Sequence, residues 1–231
     1  MATSGTTTFN PDLSEIVEEA FERCGGELRT GYDLRTARRS LNLMFTDWAN
    51  RGVNMWTMEQ GQQILTTGMA TYNLPADTVD LLDHVIRTGA GSASTQADLT
   101  ITRISEPTYS SIPNKLQQAR PIQIWIERLN TPRFTVWPVP DDSQTYTLVY
   151  WRLRRIQDAG DGVNTMDMPF RFYNAMVAGL SYYMALKVPG ALERLQILKQ
   201  QYDEAWQLAA DEDREKAAVR FVPRQQYIGT L

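Results

Sequence analysis

The sequence of 231 residues predicts an α+β fold, in which an antiparallel helical bundle carries an inserted β-sandwich or barrel-like module and an extended C-terminal tail. Three observations predict this class. Apolar residues recur at helical spacing near both ends of the chain, apolar and polar residues alternate in short runs between them, and the final stretch follows neither period. The expected divisions are a mobile N-terminus at 1–9, a helical bundle from 10–52 and 169–216, a β module at 53–158, a linker at 159–168 and a tail at 217–231.

Two amphipathic helices are expected before the β module. Asn10 followed by Pro11 is typical of a helix start, because asparagine caps unpaired amide groups and proline fits the first helical position. The glycine pair at 25–26 ends this helix, and a second apolar stripe begins near Asp33. The polar face of the first helix carries a group of glutamates, which are Glu15, Glu18, Glu19 and Glu22.

The middle of the chain predicts six or seven short strands. Threonine, isoleucine and aromatic residues, which favour strands, alternate there with polar residues, and turns rich in glycine, proline and aspartate separate the runs. The clearest alternation places Ile122, Ile124 and Ile126 on one face. The runs that favour strands are 54–58, 62–66, 70–73, 79–88, 98–104, 122–126, 133–137 and 145–153.

Helical spacing returns after residue 168. The run 169–187 is apolar on nearly every side, which predicts a central helix surrounded by other elements. Pro189-Gly190 breaks this helix, and the apolar stripe of 191–216 predicts a long final helix. These two helices are expected to complete the bundle.

The composition excludes several classes of protein. Cys24 is the only cysteine, so an intrachain disulfide and a multi-cysteine zinc site are impossible. No apolar run approaches the ~20 residues that span a membrane, and the polar start lacks the features of a signal peptide. A formal net charge of −4 argues against a general nucleic-acid binder. We therefore expect no enzyme activity, no cofactor and no metal ion.

Single residues offer little chemistry. His84 is the only histidine and falls in a predicted strand, where a packed or rim position is expected rather than a ligand or a base. Cys24 is expected to be a partly buried small side chain. Carboxylates are the best material for catalysis, since a glycosidase uses two of them in a cleft, but glutamates on the polar face of a helix more often form a solvated surface.

Arginines suggest contacts rather than catalysis. DNA binding, ion pairing and subunit contact remain open for one group, with DNA binding the least favoured: Arg35, Arg38, Arg39, Arg152, Arg154 and Arg155. The tail combines arginine with aromatic and apolar residues, a mixture enriched at protein interfaces, so it either docks on a partner or is a disordered end. Its candidate contact residues are Arg220, Phe221, Val222, Pro223, Arg224 and Tyr227.

Four segments resemble phage head-to-tail adaptor proteins, also called portal adaptors or tail tubular protein A. A helix ending in Gly-Gly is followed by ARRSLNLMFTDWANRGVNMWTMEQG at 37–61. The others are YSSIPNK at 109–115, RPIQIWIERLNTPRFTVWPVPDD at 120–142 and YWRLRRIQDAGDGVNTMDMPFRF at 150–172. The resemblance extends over nearly all of residues 10–216 and contains no catalytic signature.

The resemblance implies a structural role in the virion. Such adaptors form a ring, commonly twelvefold, in the neck below the portal, join it to the tail and leave a channel for the genome. The implied partners are further copies of the chain, the portal protein, and a tail nozzle or other tail proteins. The implied protein is made in the host cytoplasm and acts in the virion neck, where DNA passes without specific binding. A C-terminal extension often grips the portal, which matches the tail at 217–231.

The adaptor interpretation gives the acids of the first helix a possible role, and alternative functions remain beside it. Acidic side chains suit a channel that passes DNA without retaining it, so Glu15, Glu18, Glu19 and Glu22 are possible channel acids. The alternative functions are another tail or neck subunit, such as a nozzle or a fibre attachment, and a peptidoglycan-degrading hydrolase.

Overall fold

The computed structural model describes residues 3–26, 31–52, 55–214 and 216. Within these residues the protein has a mixed α/β architecture of five α-helices and two four-stranded sheets. The five helices are α1 (Leu13–Cys24), α2 (Gly31–Asn50), α3 (Glu106–Ser110), α4 (Tyr173–Ala185) and α5 (Leu195–Glu212). Short 3-10 turns precede β1, α4 and α5.

The cap of the first helix lies two residues later in the chain than expected. The prediction that Asn10 caps α1 was wrong, because Asp12 accepts the backbone amide hydrogen of Glu15 at 2.9 Å while the Glu15 carboxylate accepts that of Asp12 at 3.0 Å. This reciprocal capping box pairs two amide groups that the helix itself leaves free. Gly25 ends α1 in the left-handed conformation, at φ 81°, as the glycine pair predicted.

The eight strands are divided equally between two sheets. They are β1 (Met58–Leu65), β2 (Thr71–Asn73), β3 (Thr78–Thr88), β4 (Ala97–Thr100), β5 (Thr102–Ile104), β6 (Gln123–Glu127), β7 (Arg133–Trp137) and β8 (Tyr146–Arg154). The first sheet has the order β1-β8-β3-β4 and is antiparallel throughout. The second has the order β2-β7-β6-β5, in which only the β5–β6 pair is parallel. One apolar cluster contains residues from both sheets, including Leu148 and Phe134.

A second apolar cluster holds the helices together. The helix α4 packs against α1, α2 and α5, so it is central, as its nearly continuous apolar sequence predicted. A Cβ on Gly179 of α4 would collide with Met44 of α2 and with Tyr202 of α5, which explains why only glycine fits there. The segment predicted as a linker also enters this cluster, through Met166 and Met168.

The predicted fold class was wrong in its architecture. The protein is a mixed α/β structure and not an antiparallel helical bundle that carries an inserted β-sandwich or barrel-like module. Helical periodicity showed which face of each helix is buried, but it did not show that α1, α2 and α5 all pack on one central helix. The domain boundaries stay a prediction, and the predicted tail at 217–231 lies outside the described residues.

Two side-chain junctions connect the helices to the sheets. Asp213, directly after α5, is buried; its carboxylate pairs with Arg171 and accepts the backbone amide hydrogen of Met55 at 3.0 Å. Trp56 donates from Nε1 to the backbone oxygen of Asp167 at 3.1 Å and packs its ring on Phe172, with centroids 4.6 Å apart. The chain therefore enters the first sheet while still fastened to the helical core.

Candidate functional site

The acidic face of α1 is exposed, but its members have different surroundings. Glu15 is engaged in the capping box, and Glu19 accepts a hydrogen bond from Nε of Arg23 at 2.8 Å. Glu18 and Glu22 lie one turn apart and form no ion pair with another described residue. The structure thus places all four predicted acids on one helix and leaves two of them unpaired within the part of the chain it describes.

The predicted arginine group divides into two sets. Arg152 and Arg154 lie on β8 with largely buried side chains and form ion pairs, whereas Arg35, Arg39 and Arg155 are exposed. The six tail residues proposed for portal contact lie outside the described residues: Arg220, Phe221, Val222, Pro223, Arg224 and Tyr227.

An arginine groove, lined by Arg35, Arg38, Arg39 and Arg155, lies between α2 and the chain that follows β8. It encloses about 420 Å³, and its other lining side chains include the exposed Leu43. Arg38 donates to the backbone oxygen of Gly160 and to the carboxylate of Asp161, each at 3.0 Å. The other three arginines form no ion pair with another described residue. The groove is therefore positively charged, although the whole chain is acidic.

A partly buried ionic network positions one end of this groove. Both terminal nitrogens of Arg154 donate hydrogen bonds to the carboxylate of Asp167, at 2.5 and 2.9 Å. Its Nε donates to the carboxylate of Glu59 at 2.6 Å. Glu59 also accepts from Arg152 at 2.8 Å, and Arg152 contacts Asp77 at 2.5 Å. Paired, multiply hydrogen-bonded charges hold a fixed geometry. The network therefore fixes the end of β8, from which Arg155 extends.

The same network changes the acidity of one carboxyl group. The hydrogen bond from Arg152 lowers the pKa of Asp77, so this carboxylate stays ionised in mildly acidic solution.

A backbone hydrogen bond connects the groove to the start of β3. The backbone amide of Arg155 donates to the backbone oxygen of Asp77 at 2.8 Å.

His84 lies on the inner face of the first sheet, opposite Tyr150 in the register of β3 and β8. Its Nδ1 is buried and has no hydrogen-bond partner among the described residues. Burial, followed by the nearby Arg103 charge, lowers the pKa of this imidazole. The histidine is therefore neutral and packed at neutral pH, as the sequence interpretation favoured.

Acid should destabilise the protein through His84. Because its pKa is lower in the folded state, the unfolded chain takes up the proton first as the pH falls, so the free energy of unfolding decreases below the ordinary pKa of about 6.5. Above that value the imidazole is neutral in both states, so this penalty is absent. Urea unfolding at pH 8 and pH 6 measures the loss, and His84→Gln should reduce it. Equal losses in both proteins would refute this role of the imidazole.

The remaining reactive group is inaccessible. Cys24 is buried, its thiol donates to the backbone oxygen of Ser181 at 3.1 Å, and burial raises the pKa of the thiol. No cluster of three or more metal-ligating side chains occurs within the described residues. In the same part of the chain, no helix combines the length and the apolar character needed to span a bilayer.

The arginine groove suits binding of an acidic side chain better than catalysis. Asp158 is the one carboxylate on its lining, so the groove does not provide the two opposed carboxylates of a glycosidase. Arginine beside exposed leucine is typical of protein interfaces. The sequence indicated these arginines as a group but not that Arg155 lies beside the three arginines of α2. Their proximity depends on the position of the end of β8 next to α2.

Comparison with known families gives one match. A family model described as SU10 adaptor protein matches residues 11–224, a range that includes every helix and strand of both cores. No curated protein matches the sequence.

Proposed function

The chain belongs to the SU10 adaptor protein family, and from this premise we propose that it forms a ring below the portal of a phage capsid. The family makes the protein a structural phage adaptor and a component of the virion, which interacts with other head and tail proteins. In our proposal the ring joins the capsid to the tail in the virion neck and leaves an axial channel for the genome. The match over 11–224 is the observation that carries this proposal.

Features of the described residues support an assembly role. The two apolar cores are connected by buried ion pairs, which gives each copy a defined shape for repeated contacts. Several large apolar side chains are exposed on the helices, among them Tyr32 and Leu208. Exposed apolar groups beside charged ones are typical of surfaces that bind other proteins.

Removal of the tail tests the proposed portal contact. A chain that ends at Lys216 lacks Arg220, Phe221, Arg224 and Tyr227, and we expect it to bind purified portal protein more weakly while its fold is retained. Among the described residues the helical apolar core extends only as far as Ala209, so we expect its packing to be retained in the shortened chain. Electron microscopy of portal mixed with either chain should reveal a ring below the portal for the full chain and few rings for the shortened one.

A matched control separates the tail's side chains from its length. Full-length protein with alanine at Arg220, Phe221, Arg224 and Tyr227 should bind as weakly as the shortened chain, and circular dichroism should be unchanged in both. Normal ring formation by the shortened chain would disprove the tail contact. A ring on a tail protein but not on the portal would favour the nozzle or fibre-attachment alternative.

We also propose that the exposed acids of α1 face the channel. Glu18 and Glu22 are the informative pair, since Glu15 is engaged as a cap and Glu19 in an ion pair. Glu18→Gln with Glu22→Gln should slow genome ejection, because less negative charge repels DNA less strongly. Ejection from purified virions measures the rate, and Glu193→Gln, an exposed acid before α5, is the control. An unchanged rate in the double variant would contradict the channel position.

A further inference from the structure

The outward face of α2 combines positive charge with exposed apolar groups. Its buried stripe contains Leu41 and Met44, and at about 100° per residue the opposite stripe contains four exposed side chains. Tyr32 is 69% exposed and Leu43 is 59% exposed, although both are large and apolar. We call this stripe the α2 face; it consists of Tyr32, Arg35, Arg39 and Leu43.

The outward face of α5 has the complementary character. Its buried stripe contains Leu198, Tyr202 and Ala209. A stripe about 120° around the helix from it has four exposed side chains, in which two apolar residues, 61% and 72% exposed, are accompanied by two acids. We call it the α5 face; it consists of Ile197, Glu204, Leu208 and Asp211.

The charges on both faces have no ionic partner within the part of the chain that the structure describes. Arg39 forms no ion pair with another described residue, and its charge acts together with burial to lower the pKa of Lys187, as expected for adjacent cations. On the α5 face, Glu204 accepts from the Gln200 side chain at 2.8 Å and Asp211 from that of Gln207 at 3.1 Å. Amide hydrogen bonds do not neutralise a carboxylate, so each face retains its net charge.

We propose that the α2 face of one copy binds the α5 face of a second copy of this chain. Both faces are stripes along helices of similar length, 20 and 18 residues; each has exposed apolar groups that the other can cover, and their charges are opposite. Contact between two different patches is a heterologous interface, which closes into a ring when the rotation between copies permits. This inference rests on the proposed function, to which it adds the surfaces by which copies meet.

Nucleic acid is a poorer occupant of the α2 face. Leu43 gives phosphate groups nothing to bind, and Asp158 of the adjacent arginine groove would repel them. The acidic chain as a whole also opposes the counterion-release binding on which DNA contacts depend. A protein surface with acids between apolar groups satisfies both components of the face.

Cysteine cross-linking tests the pairing directly. Full-length Arg39→Cys and Glu204→Cys proteins, one of them enlarged by a fusion tag, are mixed and treated with a short bismaleimide, alone and with portal protein. We expect a mixed-size dimer only when both variants are present. Each variant alone should give no product, and the unmodified chain is the background control because its Cys24 is buried. Products from Arg39→Cys alone would indicate contact between two identical faces and would overturn the proposal.

Charge reversal provides the energetic test. Arg39→Glu or Glu204→Arg alone should weaken self-association about tenfold, the scale of coupling between close charges across interfaces, and the two together should restore it. Lys199→Glu and Asp203→Arg repeat the same charge changes at exposed sites on α5 that lie about 100–140° from Glu204, and they should have little effect. Sedimentation velocity measures the association. Failure of the double reversal to restore it would overturn the pairing.

The outcomes separate this inference from the proposed function. Portal binding without mixed cross-links, in either condition, would refute the α2–α5 contact and leave the adaptor role standing. Mixed cross-links without binding to portal or tail proteins would support the α2–α5 contact and refute the adaptor role. Binding of duplex DNA that Arg39→Glu abolishes, together with absent cross-links, would assign the α2 face to nucleic acid instead.

Discussion

Replacing Trp48 with alanine is expected to lower the free energy of unfolding by about 3–5 kcal/mol. The indole is fully buried and lies at the centre of an aromatic cluster, with ring centroids 4.7 Å from Trp206, 5.8 Å from Phe172 and 6.0 Å from Phe45. Those rings come from α2, α5 and the turn before α4, so the resulting cavity would loosen three elements at once.

The indole also pairs a buried hydroxyl group. Its Nε1 donates to the hydroxyl of Tyr202 at 2.7 Å, and burial raises the pKa of Tyr202 to about 12, so this hydroxyl is neutral at physiological pH. Urea unfolding followed by circular dichroism measures the loss. Trp48→Phe retains much of the packing but removes the hydrogen-bond donor. Its free energy of unfolding should lie between those of the unmodified protein and Trp48→Ala. Trp151→Ala, at a side chain 40% exposed, is the control. A similar loss at both tryptophans would contradict the central role of Trp48.

Asp167→Ala is expected to cost about 3 kcal/mol, the lower end of the range for breaking a buried ion pair, because Glu59 still accepts from Arg154. Without Asp167, the two terminal nitrogens of Arg154 lose the carboxylate that neutralises them in a largely buried position. The backbone amide of Gln157 loses its acceptor as well, at 3.1 Å. The loss concerns the connection between β8 and the helical core rather than either core alone.

Because Asp167 lies between the two cores, its loss should change the cooperativity of unfolding as well as the stability. Unfolding of Asp167→Ala should be less cooperative, so that tryptophan fluorescence and far-ultraviolet circular dichroism no longer give the same midpoint. Asp98→Ala removes the bidentate partner of Arg87 in an exposed ion pair and should change stability little. Arg154→Met with Asp167→Leu, which removes both charges together, should be milder than Asp167→Ala. Identical effects of the two changes would argue that the charge left on Arg154 is unimportant.

Local patterns in the sequence predicted the helices well and the architecture poorly. Most buried residues of α1, α2 and α5 belong to the apolar stripes, and α4 is central as its composition indicated, but Leu192 and Ile197 of the predicted 191–216 stripe are exposed. The run 98–104 was expected to be one strand, but β4 joins the first sheet and β5 the second, on either side of Ile101. Alternation reports which side chains are buried and cannot report which neighbouring strand supplies the hydrogen bonds.

The candidate surfaces were predictable only in part. The four glutamates of α1 are exposed, as expected for a polar helix face, and the capping role of Glu15 could have been found from Asp12 three residues earlier. The arginine groove brings together residues more than a hundred positions apart, which no local pattern contains. The exposed apolar residues of the α2 and α5 faces were predictable in principle, since Leu43 and Leu208 interrupt otherwise polar stripes.

The buried carboxylate of Asp213 has a mechanical consequence. A helix end attached only by its own backbone hydrogen bonds peels away one turn at a time when the chain beyond it is pulled. Here the carboxylate fastens the end of α5 to Arg171 and to the amide of Met55, so a pull on the chain after residue 213 is shared at once between the turn before α4 and the entry to β1. Tension on the chain after residue 213 therefore acts on the contacts that connect the helical core to the first sheet.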